Sequence, residues 1–227
     1  MKKKVVLLGK GLLAGRIADW LYDNEQYQLL CVVPNNPPSS WTLDLQNWAK
    51  DKHVNVIESG QPADIPPGPI DLAISVTYAN ILKPDWIARC AKAINIHNAP
   101  LPEYRGVNPI NWALKNGEAE HGVTIHEITP GIDDGPIFAI TRFPINPAVD
   151  EVIDVYERCI NFGWKLFKET IPNLWTMTPY PQDHARARYY SRAVFSRLGD
   201  RSFFTRAESR EKLGLVDKKP IEVRATE

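Results

Sequence analysis

The chain is poor in sulfur, with three cysteines and two methionines among 227 residues. Cys31, Cys90 and Cys159 are odd in number and fall in no paired spacing, which excludes a disulfide framework and a cysteine-built metal site. They read as buried reduced thiols, Cys90 and Cys159 lying within apolar helical patterns. An excess of either charge is also missing. The 27 Lys and Arg balance the 27 Asp and Glu, and a net charge of zero speaks against a dedicated nucleic-acid binder. Long apolar runs are absent. Val5-Val6-Leu7-Leu8 follows a basic start and stops at Gly9, too short for a secretion signal, and no stretch approaches membrane-spanning length. A soluble cytoplasmic protein with no membrane partner is the expectation. At 44% hydrophobic and 24% charged residues, it has material for a core without metals or cross-links.

Short apolar runs at 5–8, 28–33, 54–57, 71–76 and 93–96 suit buried strands, and the segments 12–23, 43–51 and 84–93 suit the helices between them. This alternation predicts an α/β fold: a Rossmann-like, mostly parallel sheet with helices on both faces. Further helices are expected at 108–116 and 152–171. The latter turns Val155, Cys159, Phe162, Leu166 and Phe167 inward. Alternation at 122–128 and 137–143, joined by Pro130-Gly131-Ile132-Asp133-Asp134-Gly135-Pro136, predicts an antiparallel pair. Residues 35–40 form a loop. From Arg186 onward arginines interleave with Tyr189, Tyr190, Phe195, Phe203 and Phe204. The chain therefore divides into a domain at 1–180 and a small appendage with a polar tail at 181–227.

Gly9-Lys10-Gly11-Leu12-Leu13-Ala14 follows a strand and opens a helix, as a phosphate-cradling turn does. A dinucleotide site would also need an acid at the end of the second strand, where Val33-Pro34-Asn35-Asn36 stands instead. The turn is thus read as a tight strand-to-helix connection with some affinity for an acceptor's phosphate, and an NAD-linked protein as the rival.

Asn95, His97 and Asp133 are the candidates for chemistry. A carboxamide donates to an oxyanion, an imidazole moves protons near neutral pH, and a carboxylate fixes the imidazole's tautomer. Positions 95 and 97 share a face of a strand that continues to His97. Those groups are the equipment of acyl transfer to nitrogen. His121 and His126 are five apart, which suits no metal pair, and both are read as structural.

The segments Asn95-Ile96-His97-Asn98-Ala99-Pro100-Leu101-Pro102-Glu103-Tyr104-Arg105-Gly106, Gly122-Val123-Thr124-Ile125-His126 and Ile132-Asp133-Asp134-Gly135 resemble the core of the 10-formyltetrahydrofolate-dependent formyltransferases. The likeness runs in order from about residue 70 to 140. It implies a formyl donor, 10-formyltetrahydrofolate, no metal, and Asn95, His97 and Asp133 as catalytic trio. Asp133 is preferred to Asp134 because the family's aspartate stands two positions before the glycine. It further implies a donor pocket built from Tyr78, Asn80, Ile81, Leu82, Ile128 and Ile132. Gly9, Lys10, Gly11, Tyr104, Arg105, Gly106 and Asn108 are the candidates for holding an amine acceptor. Among the family's branches, those formylating a nucleotide-linked amino sugar for surface polysaccharides carry a short C-terminal appendage of this size. Those acting on methionyl-tRNA carry a larger one, and glycinamide ribonucleotide or a carrier-bound aminoacyl group are the remaining acceptors. A sugar nucleotide is the expected partner, and a homodimer the expected assembly, since dimers are common among similar enzymes.

Overall fold

A computed structural model describes residues 1–39 and 42–202. Ser40 of the expected loop, and Phe203, Phe204, Arg206, Arg210 and the 218–227 tail of the expected appendage, lie outside the described residues. The chain runs through β1 (Lys3–Gly9), α1 (Leu12–Asp23), β2 (Tyr27–Pro34), α2 (Leu45–Asp51), β3 (Ile70–Val76), α3 (Pro84–Ile87) and β4 (Cys90–His97). It continues through β5 (Arg105–Gly106), α4 (Pro109–Lys115), β6 (Glu120–Glu127), β7 (Ile137–Pro144), α5 (Val152–Thr170) and β8 (Tyr189–Tyr190). Six strands form one sheet in the order β2-β1-β3-β4-β6-β7. The first four are parallel, and β6 and β7 join antiparallel. The expected Rossmann-like class and the antiparallel pair are both present.

Alternation along β1 explains why both sheet faces need cover. Val5 and Leu7 pack with Leu13, Ile17 and Leu21 of α1 and with Val155, Cys159 and Phe167 of α5. Val6 and Leu8 point the other way, onto Ile65, Leu82 and Trp86. Each such fully buried Val or Leu stabilises the fold by about 1.5–3 kcal/mol. Helix α5 is fixed at its start by a reciprocal Glu151–Asp154 capping box, and Arg158 holds Asp150 through two bonds of 2.6 and 2.7 Å. The carboxyl ends of β1 and β3 are pinched together at Gly9, whose φ is 125°. A Cβ there would overlap the Val76 carbonyl oxygen.

Three local expectations are revised. Helix α3 ends at Ile87 instead of 93, and Cys90 opens β4, because Ile70 pairs with Cys90 and Leu72 with Lys92. The parallel ladder outweighs the helical preference of an Ala-containing stretch. Residues 54–57 make one bridge, Val32 to Val56, at the edge of β2. Phe162 is partly exposed, stacked on Phe143 at 4.8 Å rather than turned into the core.

Candidate functional site

A cavity of about 750 Å³ opens beyond the carboxyl ends of β3 and β4. Thr77, Tyr78, Asn80, Ile81 and Leu82 line it from the loop after β3, and Ile128, Thr129, Ile132 and Asp133 from the loop between β6 and β7. Asn95, His97 and His126 come from the sheet itself. All six residues expected around a donor therefore border this cavity, and Ile81 stands 71% exposed at it. Side chains so apolar and so open to water gain by covering a flat, apolar ligand.

Strand alternation puts Asn95 and His97 on one face, and the β4–β6 register sets His126 opposite Asn95. His97 Nε2 lies 2.7 Å from the Tyr104 carbonyl oxygen and therefore carries the proton of the neutral ring. Its Nδ1 lone pair is left facing Asp133 Oδ1 at 3.7 Å. Asn95 Nδ2 stands 3.2 Å from His126 Nε2 and 3.4 Å from Asp133 Oδ1. The Gly106 amide donates to Asp133 Oδ2 at 2.8 Å. The trio read from the sequence thus converges on one cavity.

Burial pushes the Asp133 carboxyl upward. The imidazoles of His97 and His126, together with the Gly106 amide, outweigh that and hold it well below the usual carboxylate range. Asp133 stays ionised and faces the His97 imidazole. Asp134 does other work: its carboxylate accepts from the Thr129 hydroxyl within the same loop. Backbone strain gathers here too. Thr77, Asn108 and Asp133 have φ of 51°, 53° and 50°, each costing on the order of 1 kcal/mol or more in a non-glycine residue.

The acceptor candidates separate. Gly106 borders the cavity, whereas Gly9, Lys10, Gly11, Tyr104, Arg105 and Asn108 are not among its lining residues. The Lys10 and Gly11 amides are taken by the carbonyls of Val76 and Leu43, so the turn offers neither to a phosphate. The Tyr104 phenol donates to Glu118 at 2.5 Å and its ring stacks on Tyr190. Only the Tyr104 carbonyl serves the site, by setting the His97 tautomer.

The Arg105 guanidinium is spent on Gln182 Oε1, at 2.7 and 3.0 Å. Gln182 in turn donates to the carbonyls of Asp133 and Gly135 at 2.9 and 2.7 Å. Arg105 and Gln182 thus clamp the backbone that aims Asp133. Gln182→Leu should lower unfolding free energy by about 2–4 kcal/mol, since four hydrogen bonds go and a cation is left beside an apolar group. A denaturant midpoint unchanged from the parent would contradict it.

Residues from the C-terminal segment border the cavity as well: Tyr189, Ser191, Arg192 and Ala193. They arrive because β8 pairs in parallel with β5, and Arg192–Ser202 form 3-10 turns that pack on α4. The arginine-rich character drew attention to this stretch, but the same arginines have different fates. Arg186 pairs with Glu103 and Arg188 lies 3.7 Å from Glu118, while Arg192 reaches the cavity.

His121 is buried, its Nε2 bonded to the Asn98 carbonyl at 2.8 Å and its Nδ1 without a hydrogen bond. Burial pushes its pKa down from 6.5 to about 4. The unfolded chain therefore binds the extra proton first, and stability falls as pH drops from 6.5 towards 4, by about 3 kcal/mol in total. His121→Phe should remove that slope in urea melts taken across this window. An identical slope in both proteins would refute the assignment.

Residues 65–171 match the formyl transferase family. The chain is 30% identical over 203 residues to the methionyl-tRNA formyltransferase of Limosilactobacillus fermentum, covering 81% of this chain and 63% of that relative. It therefore spans less than two thirds of that protein's length. Among solved structures it is similar to an N-formyltransferase from Helicobacter canadensis, crystallised with folinic acid and dTDP-3-aminofucose. That likeness has TM-score 0.74, 29% identity, and covers 85% of this chain and 72% of the other. The sugar 3N-formyl transferase WlaRD, solved with dTDP and 5-N-formyl-THF, aligns with TM-score 0.76 and 26% identity, over 85% and 71% of the two chains.

Proposed function

We propose that this chain, whose residues 65–171 match the formyl transferase family, moves a formyl group from 10-formyltetrahydrofolate to the primary amine of a nucleotide-linked amino sugar. The observation that carries this reading is the convergence of Asn95, His97 and Asp133 on one cavity bordered by exposed apolar residues. The sugar acceptor is favoured by the two structural neighbours, which span most of this chain, and by the wall of Tyr189, Ser191 and Arg192, whose guanidinium suits a small anionic acceptor.

The donor supplies an electrophilic formyl carbon bonded to nitrogen. The acceptor's neutral amine attacks it, forming a new C–N bond and an alkoxide on the former carbonyl oxygen. Asn95 Nδ2 donates to that oxygen, a contact worth roughly 3 kcal/mol of barrier. His97 takes the amine's extra proton at Nδ1, the one ring nitrogen with a free lone pair, and Asp133 stabilises the resulting imidazolium. The same proton then passes to the departing folate nitrogen as its C–N bond breaks. Charge is conserved, and no group is left protonated at the end.

Sequence likeness to methionyl-tRNA formyltransferases supports a second reading, with initiator methionyl-tRNA as acceptor. A panel of dTDP- and UDP-amino sugars, methionyl-tRNA and glycinamide ribonucleotide, each with 10-formyltetrahydrofolate, separates them. The expected result is release of tetrahydrofolate with an amino-sugar nucleotide and N-formylated product by mass spectrometry. Turnover confined to methionyl-tRNA would overturn the sugar assignment. Cytoplasmic location, a homodimer and a place in supplying sugars for surface polysaccharide belong to the same proposal.

A further inference from the structure

We infer that His126 is a positioning residue of the transfer site: its neutral ring holds one N–H of the Asn95 carboxamide and keeps the amide nitrogen, not the oxygen, turned to the reacting centre. The inference rests on the formyl-transfer reading.

The two ends of a carboxamide have nearly the same shape, so packing alone does not choose between them; hydrogen-bond partners do. Around Asn95 both partners are acceptors. The His126 Nδ1 lies 2.8 Å from the Glu127 carbonyl oxygen, so the proton of the neutral ring is on Nδ1 and Nε2 presents its lone pair to Asn95 at 3.2 Å. Asp133 Oδ1 takes the other N–H over a longer 3.4 Å. An oxyanion arriving at the site displaces the longer of the two contacts and leaves His126 gripping the amide. Without that grip the carboxamide turns over at little cost and points its oxygen at a developing negative charge, converting a stabilising contact into a repulsive one.

His126 lies at the cavity and is 3% exposed. The titratable groups facing its ring are Asp133, at 3.5 Å from the β6–β7 loop, and His97, with ring centroids 6.3 Å apart, from β4. Both imidazoles therefore look at the same carboxylate oxygen. If His126 took a proton, its Nε2–H would confront the Asn95 N–H and would claim the Asp133 charge that His97 needs when it accepts the amine's proton. The contact between His126 Nε2 and the Asn95 amide keeps the two roles apart, His126 on the carboxamide and His97 on the carboxylate.

Two substitutions separate this from mere packing. His126→Leu removes the acceptor, whereas His126→Gln replaces it with an amide oxygen at similar reach. With dTDP-3-aminofucose and 10-formyltetrahydrofolate, His126→Leu should lower kcat about 30-fold or more while KM for the donor stays within about twofold. His126→Gln should recover to within about fivefold of the parent. Independently of turnover, the Asn95 side-chain amide signals in a ¹H–¹⁵N spectrum should shift in His126→Leu and return towards the parent positions in His126→Gln. A His126→Leu variant as active as the parent, a His126→Gln variant no better than His126→Leu, or unmoved Asn95 signals would each overturn the inference. Should the parent turn over with no acceptor of the panel above, the formyl-transfer reading falls while the amide signals still decide what holds Asn95.

Discussion

His97→Ala is expected to lower kcat by about three orders of magnitude or more while leaving the protein folded. The size follows from the atom lost. With Nε2 committed to the Tyr104 carbonyl, Nδ1 is the ring nitrogen that can take a proton from the attacking amine, and it faces an ionised carboxylate at 3.7 Å. No other imidazole borders the cavity with a free lone pair, among the described residues, because His126 Nε2 is occupied by Asn95. The structural loss is one hydrogen bond, about 1 kcal/mol, so Tm should move little. Because proton acceptance rather than binding is removed, kcat and kcat/KM should fall together with KM for the donor nearly constant. A variant turning over within tenfold of the parent would place the proton acceptor elsewhere.

The second large effect belongs to Asp133→Asn, for which a fall in kcat of about two to four orders of magnitude is expected. Asparagine tolerates the left-handed backbone at φ 50° better than other residues do, so the loop should keep its path, and it matches aspartate in shape. What goes is the negative charge that stabilises the imidazolium of His97. The Gly106 amide keeps an acceptor only if the new carboxamide turns its oxygen towards it, and its NH2 then faces two imidazoles. A linked stability effect has a definite sign. The Asp133 carboxyl is held below its ordinary range, so its contribution is present above the unfolded carboxylate pKa and is lost as pH falls below that value. This acid loss lies below the window assigned to His121, and Asp133→Asn should abolish the one without touching the other. Paired urea melts at pH 3 and pH 5 separate them.

Much of this was legible because the informative features are local. The 12–23 helix, the β4 strand through His97 and the glycine-bounded loop carrying Asp133 follow from periodicity and turn chemistry within short windows, and the cavity lies where parallel strands end. What escaped depends on register between distant segments. His126 read as a structural histidine because nothing in its neighbourhood indicates that β6 will set it opposite Asn95. Tyr104 and Arg105 read as acceptor contacts because an aromatic and a guanidinium beside the site look available. Their partners, Glu118 and Gln182, lie 14 and 77 positions away, and they turn the two side chains to structural use. Cys90 was misplaced for the same reason: pairing with β3 decides its conformation, and that pairing is invisible in the stretch around it. The cavity wall at Tyr189–Ala193 exists because a two-residue strand docks on Arg105 and Gly106, too short a pattern to stand out.

The most direct test is a crystal structure with 5-formyltetrahydrofolate soaked in. The pterin is expected against Ile81, Ile128 and Ile132, with the folate nitrogens facing His97 and the Asn95 amide nitrogen within hydrogen-bonding reach of the formyl oxygen's side of the cavity. A folate bound away from these residues, or an Asn95 amide drawn off to another partner, would contradict it.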